Sequence, residues 1–182
     1  MKIEKKTALS WAAVILWMIM IFTFSAQPAK ESEKISLGIT VMILKFIENL
    51  ALIAGASAEM IANTDHMVRK SAHAFVFLVL AMLVANALLK TGARWPRALI
   101  FAFLITLGYA CTDEIHQMFV PGRACMLSDV GIDGMGAIAG LGLSWIWYWK
   151  NGHRMFDFKG NPLVISVMSK MNMFKGLRTN NE

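Results

Sequence analysis

The sequence predicts an all-α fold: a polytopic membrane protein, a bundle of four transmembrane helices with an amphipathic helical loop on the extracytoplasmic side. Three observations predict it. Hydrophobic residues make up 57% of the 182-residue chain and charged residues only 16%, where soluble domains carry about 25% charged residues. The apolar residues come in blocks long enough to cross a bilayer, and Lys and Arg gather on alternate connections between those blocks. A mean hydropathy of +0.53 excludes a disordered chain. Two cysteines exclude a disulfide scaffold or a multi-cysteine zinc site. The net charge of +6 alone would fit nucleic acid. Its distribution assigns it to membrane orientation instead, and no nucleic-acid partner is expected.

A hydrocarbon core about 30 Å thick needs roughly 20 apolar helical residues. Residues 7–24 form the first such block and carry no charge. Lys2, Lys5 and Lys6 ahead of it resemble the basic start of a signal peptide. The block outruns the usual signal core of about 7–15 residues, however, and no small residue stands two before Ala26, so an uncleaved span is expected. Residues 71–89 form the second block, with His73 near its start. Residues 96–112 form the third, with Arg97 at its edge. Residues 130–149 form the fourth, with Asp133 near its start. One domain covers 1–182.

Orientation follows from Lys and Arg. Segments 1–6, 90–97 and 150–182 hold most of them, including Lys90, Arg94, Arg97, Lys150 and Arg154. Both termini are therefore expected in the cytoplasm of a bacterial cell, with the chain multi-pass in the cytoplasmic (inner) membrane. Trp145, Trp147, Tyr148 and Trp149 would form an inner-interface belt, with Trp95 at the same level. The tail 150–182 is basic with scattered apolar residues.

The outer loop, 25–68, carries Ile39, Met42, Ile43, Phe46, Ile47, Leu50 and Ile53 at helical spacing within Ile35 to Ile61. An amphipathic helix lying on the outer surface, or a lid packed on the bundle, is expected there.

The polar residues cluster at the outer ends of the spans: Ser25 and Gln27 after the first; Arg69, Lys70 and His73 at the second; Asp113, Glu114, His116 and Gln117 after the third; Arg123 in the loop; Asp129 and Asp133 at the fourth. Asp129, Asp133, Gly136 and Gly140 share one helix face. Gly136 and Gly140 make a small-xxx-small pair that lets another helix approach closely. An aspartate at bilayer centre costs roughly 2.5–3.5 kcal/mol, so these acids need partners, and Arg69, Lys70 and Arg123 are the cations at hand.

Three stretches resemble the VanZ-like family of small bacterial membrane proteins: Arg69-Lys70-Ser71-Ala72-His73, the run Thr112 to Arg123 (TDEIHQMFVPGR), and Asp129 to Gly136 (DVGIDGMG). Phe24-Ser25-Ala26-Gln27 is similar to that family's Phe-Ser-x-Gln. The resemblance runs from 24 to 140. It departs at Cys125, where members often have Ser or Ala, and at Phe77, where a hydroxyl or carboxylate is often found. It implies the membrane fold and a cell-envelope setting, and its namesake is linked to teicoplanin resistance. It does not imply a reaction.

Three readings of the polar cluster stay open. In the first, Arg69, Lys70 and Arg123, with Gln117, Gln27 and Ser25, bind an anionic membrane lipid or lipid-linked cell-wall precursor. A catalytic form would use His73 or His116 as acid or base, oriented by Asp113 or Glu114. In the second, the chain is a metal-dependent membrane hydrolase in which those acids and imidazoles with Asp129 and Asp133 hold a divalent metal, although no HExxH spacing is present; no other cofactor is expected. In the third, it is a non-enzymatic interaction protein or small transporter whose polar cluster is structural, Asp129 and Asp133 pairing with Arg69, Lys70 or Arg123 to fix helix register. His66 and His153 are expected in solvent, and Cys111 and Cys125 as free thiols. Oligomeric state is not encoded in any pattern found.

Overall fold

A computed structural model describes residues 5–49 and 57–150. It contains five helices in chain order: α1 (Lys5–Ser25), α2 (Ala29–Asn49), α3 (Ala58–Lys90), α4 (Trp95–Gln117) and α5 (Leu127–Lys150). Four of them, α1, α3, α4 and α5, are long and apolar enough to cross a membrane. The residues to Trp145 form one compact unit; of the second unit, only the last turn of α5, from Ile146, is described.

The bundle is built inside out relative to a soluble protein. Leu9, Leu16, Phe101, Met135 and Ile138 are exposed, whereas Ser10, Ser25, Thr106, Asp113, Glu114, Gln117 and Asp133 are buried. In lipid there is no gain in hiding apolar groups from their surroundings, so association rests on close packing and on internal polar pairing. Helix α3 is the centre of this packing. Its Phe77, Leu80, Ala81, Val84 and Ala85 meet Val14 and Ile21 of α1, Ala102 and Ala110 of α4, and Ala137 and Leu141 of α5. Small side chains at these contacts bring backbones close enough for side chains to bond across helices. Trp17 Nε1 donates to the Val76 carbonyl (2.9 Å), and the Tyr109 hydroxyl to that of Met18 (2.6 Å).

Gly136 and Gly140 sit against α3. A Cβ at Gly136 would fall on the Ala74 carbonyl, and one at Gly140 on that of Leu78. The face shared by Asp133, Gly136 and Gly140 is therefore the buried face of α5.

One helix reaches beyond the block read from the sequence. The helix that carries the second apolar block begins well before Ser71. Helix α3 starts at Ala58, capped by Ser57, whose Oγ accepts from the Met60 N–H (3.1 Å). The added turns are polar but internally braced, since Asp65 and Arg69, one turn apart, form an ion pair at 3.1 Å. The expected stripe helix is α2 as far as Asn49; Leu50 and Ile53 lie outside the described residues. Helix α2 turns its small polar face to the protein, burying Ser36, Thr40 and Leu44. Ile35, Ile39, Met42 and Phe46 face outward. The stripe is thus available to lipid, and α2 is held by polar contact, Thr40 Oγ1 donating to Asp65 (3.4 Å).

Trp145, Trp147 and Trp149 are exposed on α5, but Trp95, expected in the same belt, is buried (6% exposed). The tail 151–182 and His153 lie outside the described residues.

Candidate functional site

The polar cluster forms where α1 and α4 end, α5 begins and α3 passes between them. Asp113 and Gln117 are one turn apart on α4 and both buried. Asp133 projects from α5 at 1% exposure, brought to α3 by the glycine contacts one turn beyond it. His73 stands between the acids. Its Nδ1 faces both oxygens of Asp133 (3.0 and 3.1 Å), and its Nε2 lies 3.5 Å from Asp113 Oδ2 and 3.3 Å from Gln117 Nε2.

The loop after α4 completes the site. Val120-Pro121-Gly122-Arg123 is a β-turn closed by Arg123 N–H to the Val120 carbonyl (3.1 Å), with Gly122 at φ +78°. Proline at the second position and a left-handed residue at the third define a type II turn, which glycine adopts without strain. The turn delivers Arg123 back over the cluster. Its Nε donates to the Gln27 carbonyl (3.1 Å) and its Nη1 to Gln117 Oε1 (3.3 Å). Burial pulls the Arg123 guanidinium below its usual value, Asp113 opposes this, and Arg69 adds to it. Arginine nonetheless stays charged at neutral pH.

These contacts assign the protons. Gln117 Oε1 faces a guanidinium, and its Nε2 faces the Asp113 carboxylate (3.0 Å), so the amide can be oriented only one way. Gln117 Nε2 is then a donor, with Asp113, Ser25 Oγ (3.5 Å) and His73 Nε2 in reach of its two protons. Where it donates to His73, the imidazole is the neutral tautomer with its proton on Nδ1, donated to Asp133. Ser25 Oγ donates to Asp113 Oδ2 (2.8 Å) and so has no hydrogen bond to the imidazole. The cluster is therefore not a serine–histidine pair. Asp113 Oδ1 is buried and has no hydrogen-bond partner among the described residues.

The remaining candidates divide. Glu114 is buried and accepts from the Met126 N–H (3.0 Å), anchoring the loop ahead of α5. Lys70 pairs with Asp129 (2.9 Å), both partly exposed, a contact worth about 1 kcal/mol or less. Arg69 pairs with Asp65, so neither it, Lys70 nor Arg123 bonds Asp133; that partner is His73. Gln27 contributes its carbonyl. His116, expected as an acid or base, is not in the cluster: α4 turns it to α1, where it stacks on Phe22 at 4.1 Å. Cys111 and Cys125 are free and exposed.

Beside the cluster opens a cavity of about 520 Å³. Arg69, Lys70, His73 and Arg123 line its polar part; Phe24, Ile35 and Ile39 line its apolar part. His66, expected in solvent, is exposed but stands on its wall. The sequence reading missed this, as it missed Asp65 and Thr40. The spacing of Asp65 to Arg69 was the available signal. Among the described residues no three His, Cys, Asp or Glu side chains gather as a metal would require. The two acids nearest His73 lie on opposite edges of its ring, an arrangement for hydrogen bonding rather than chelation.

Neither a curated protein nor a solved structure matches the chain. A family model described as VanZ/LLP1 matches residues 10–148, which include every side chain of the cluster. With four helices able to span a membrane and a match over most of its length, this chain belongs to the VanZ/LLP1 family of membrane proteins.

Proposed function

We propose that the cavity binds the anionic headgroup of a lipid or lipid-linked envelope precursor at the extracytoplasmic face of the bacterial cytoplasmic membrane. The observation that carries this is Arg123. Among the described residues Arg69 and Lys70 are each paired with an aspartate, whereas Arg123 donates only to neutral oxygens and forms no salt bridge. A guanidinium held over a cavity by weak acceptors is ready for phosphate or carboxylate, which it bonds more strongly. Phe24, Ile35 and Ile39 give the same cavity an apolar side for the chain attached to the headgroup. A protein that held such a molecule would change the cell's response to a glycopeptide antibiotic.

Protein purified from membranes and examined by native mass spectrometry will retain anionic lipid. Arg123→Gln will lower that retention about tenfold, the loss expected for a charged hydrogen bond. Equal retention by wild type and variant would remove the reading.

The Lys and Arg distribution supports this side, since it favours cytoplasmic termini. Cys125, exposed in the loop that carries Arg123, tests it directly. In a Cys111→Ser background, a membrane-impermeant maleimide added to intact spheroplasts will label Cys125. Labelling only after lysis would reverse the orientation.

A further inference from the structure

We propose that His73 is a general base toward an O–H group of the bound ligand or its attendant water, and that Gln117 withholds this base until an anion occupies Arg123. The inference rests on the headgroup reading for its trigger, but the latch itself stands on the geometry of the cluster.

A histidine becomes a useful base when one ring nitrogen is held by a carboxylate and the other presents a lone pair to the reacting group. His73 meets the first condition through Asp133, which receives the Nδ1 proton on two oxygens. It meets the second only in part. The imidazole lines the cavity, yet its Nε2 lone pair accepts from the Gln117 amide. That amide is not free to turn away, because Arg123 holds its oxygen (3.3 Å). Arg123, Gln117, His73 and Asp133 thus form one directed chain of donors, each giving a proton to the next.

The chain has one link that a ligand can take. The Arg123 Nη1 bond to Gln117 is long and runs to a neutral oxygen, whereas a phosphate or carboxylate oxygen offers a charged acceptor. When an anion captures the guanidinium, the amide oxygen loses its donor. The amide keeps its bond to Asp113 (3.0 Å) and can also turn to Ser25 (3.5 Å), so it can leave His73 without stranding its N–H. The Nε2 lone pair then faces the cavity. One proton moves in the step: from the ligand's or water's oxygen to Nε2, giving an imidazolium between Asp133 and Asp113, both of which stabilise it. His73 does not act on Ser25 in this scheme, since the hydroxyl proton of Ser25 is directed to Asp113.

Gln117 is a positioning residue in this scheme and Arg123 the anion sensor. The test is carbethoxylation, which reads free imidazole nitrogen, mapped to individual histidines by peptide mass spectrometry. Protein is held in nanodiscs of zwitterionic phosphatidylcholine, with inorganic phosphate as the probe and chloride at matched ionic strength as the control. In wild type, phosphate will raise His73 modification about threefold or more, the range set by releasing one neutral hydrogen bond. Gln117→Ala will show the raised rate without phosphate and no further response to it. Arg123→Gln will not respond to phosphate. His116, stacked on Phe22, reports the fold: its rate must stay at the wild-type level in each variant.

An unchanged His73 rate in Gln117→Ala, with His116 protected, would overturn the latch whatever the ligand is. If His116 is deprotected, the isosteric Gln117→Met variant replaces alanine under the same criterion. Failure of the trigger looks different. A raised rate in Gln117→Ala, with no response in wild type either to phosphate or to phosphatidylglycerol nanodiscs, would refute gating by anion; a response to phosphatidylglycerol alone assigns the trigger to a lipid headgroup. Equal lipid retention by wild type and Arg123→Gln, with the Gln117→Ala rate raised, would remove the headgroup reading and leave the latch.

Discussion

Gly136→Ala will destabilise the bundle by about 3 kcal/mol or more, the upper end of what overpacking usually costs. The size follows from what the new methyl would strike. Its position coincides with the backbone carbonyl of Ala74, not with the tip of a side chain that could rotate away. The clash is relieved only if α3 and α5 separate, and separation gives up the close packing that stands in for hydrophobic association in lipid. Gly140→Ala meets the Leu78 carbonyl in the same way. Both clashes lie on one seam and one displacement relieves both, so the double variant will cost less than the sum of the singles. Gly142→Ala is the control. Nothing lies within 4 Å of a Cβ there, and alanine is favoured over glycine in a helix by up to about 1 kcal/mol. Thermal unfolding in detergent micelles will rank the variants; an unaffected midpoint for Gly136→Ala would mean that the helices are not in contact at this turn.

That seam shows what a sequence can and cannot disclose about this fold. The four-residue interval between Gly136 and Gly140, set one turn from Asp133, already implied that glycine and acid share a buried face. The interval could not say which helix lay opposite, because small residues invite any backbone. His73 was legible as a candidate from its place at the head of an apolar block. Its two carboxylate neighbours come from helices far apart in the chain, and the pairing of Asp133 with His73 rather than with the nearby cations Arg69, Lys70 and Arg123 depends on side-chain reach that periodicity does not encode. The misplacement of His116 has a simple cause. It is three residues from Asp113 and adjacent to Gln117 in sequence, but Asp113 and Gln117 define the inward face, and at about 100° per residue His116 falls to one side of that face, toward α1. The stripe of α2 announced an amphipathic helix but left open whether its apolar side meets the membrane or the bundle. In water an apolar face marks the side that packs on the protein; beside lipid it marks the side that does not, and Ser36 and Thr40 form the contact.

His73→Leu will cost more than Asp133→Leu, although both remove one member of the same pair. Asp133 is 1% exposed, and among the described residues its only hydrogen-bond partner is His73. Replacing His73 leaves that carboxylate charged and unpartnered in low dielectric, with the Asp113 charge facing it across the vacated space; losses of this kind run to about 3–5 kcal/mol. Replacing Asp133 instead leaves a neutral imidazole with one unsatisfied N–H, about 1–3 kcal/mol. The imidazole can also move its proton to Nε2 and donate to Asp113, which lies 3.5 Å away. The double variant His73→Leu/Asp133→Leu removes the stranded charge, so adding Asp133→Leu to His73→Leu will raise stability rather than lower it. Denaturant unfolding in mixed micelles measures all three. The sign of that second step shows whether a stranded charge sets the cost of losing His73. If Asp133→Leu destabilises the His73→Leu protein by as much as it destabilises wild type, the carboxyl takes a proton once its partner is gone, and the cost of His73→Leu is that of lost packing and a lost hydrogen bond rather than of a buried charge.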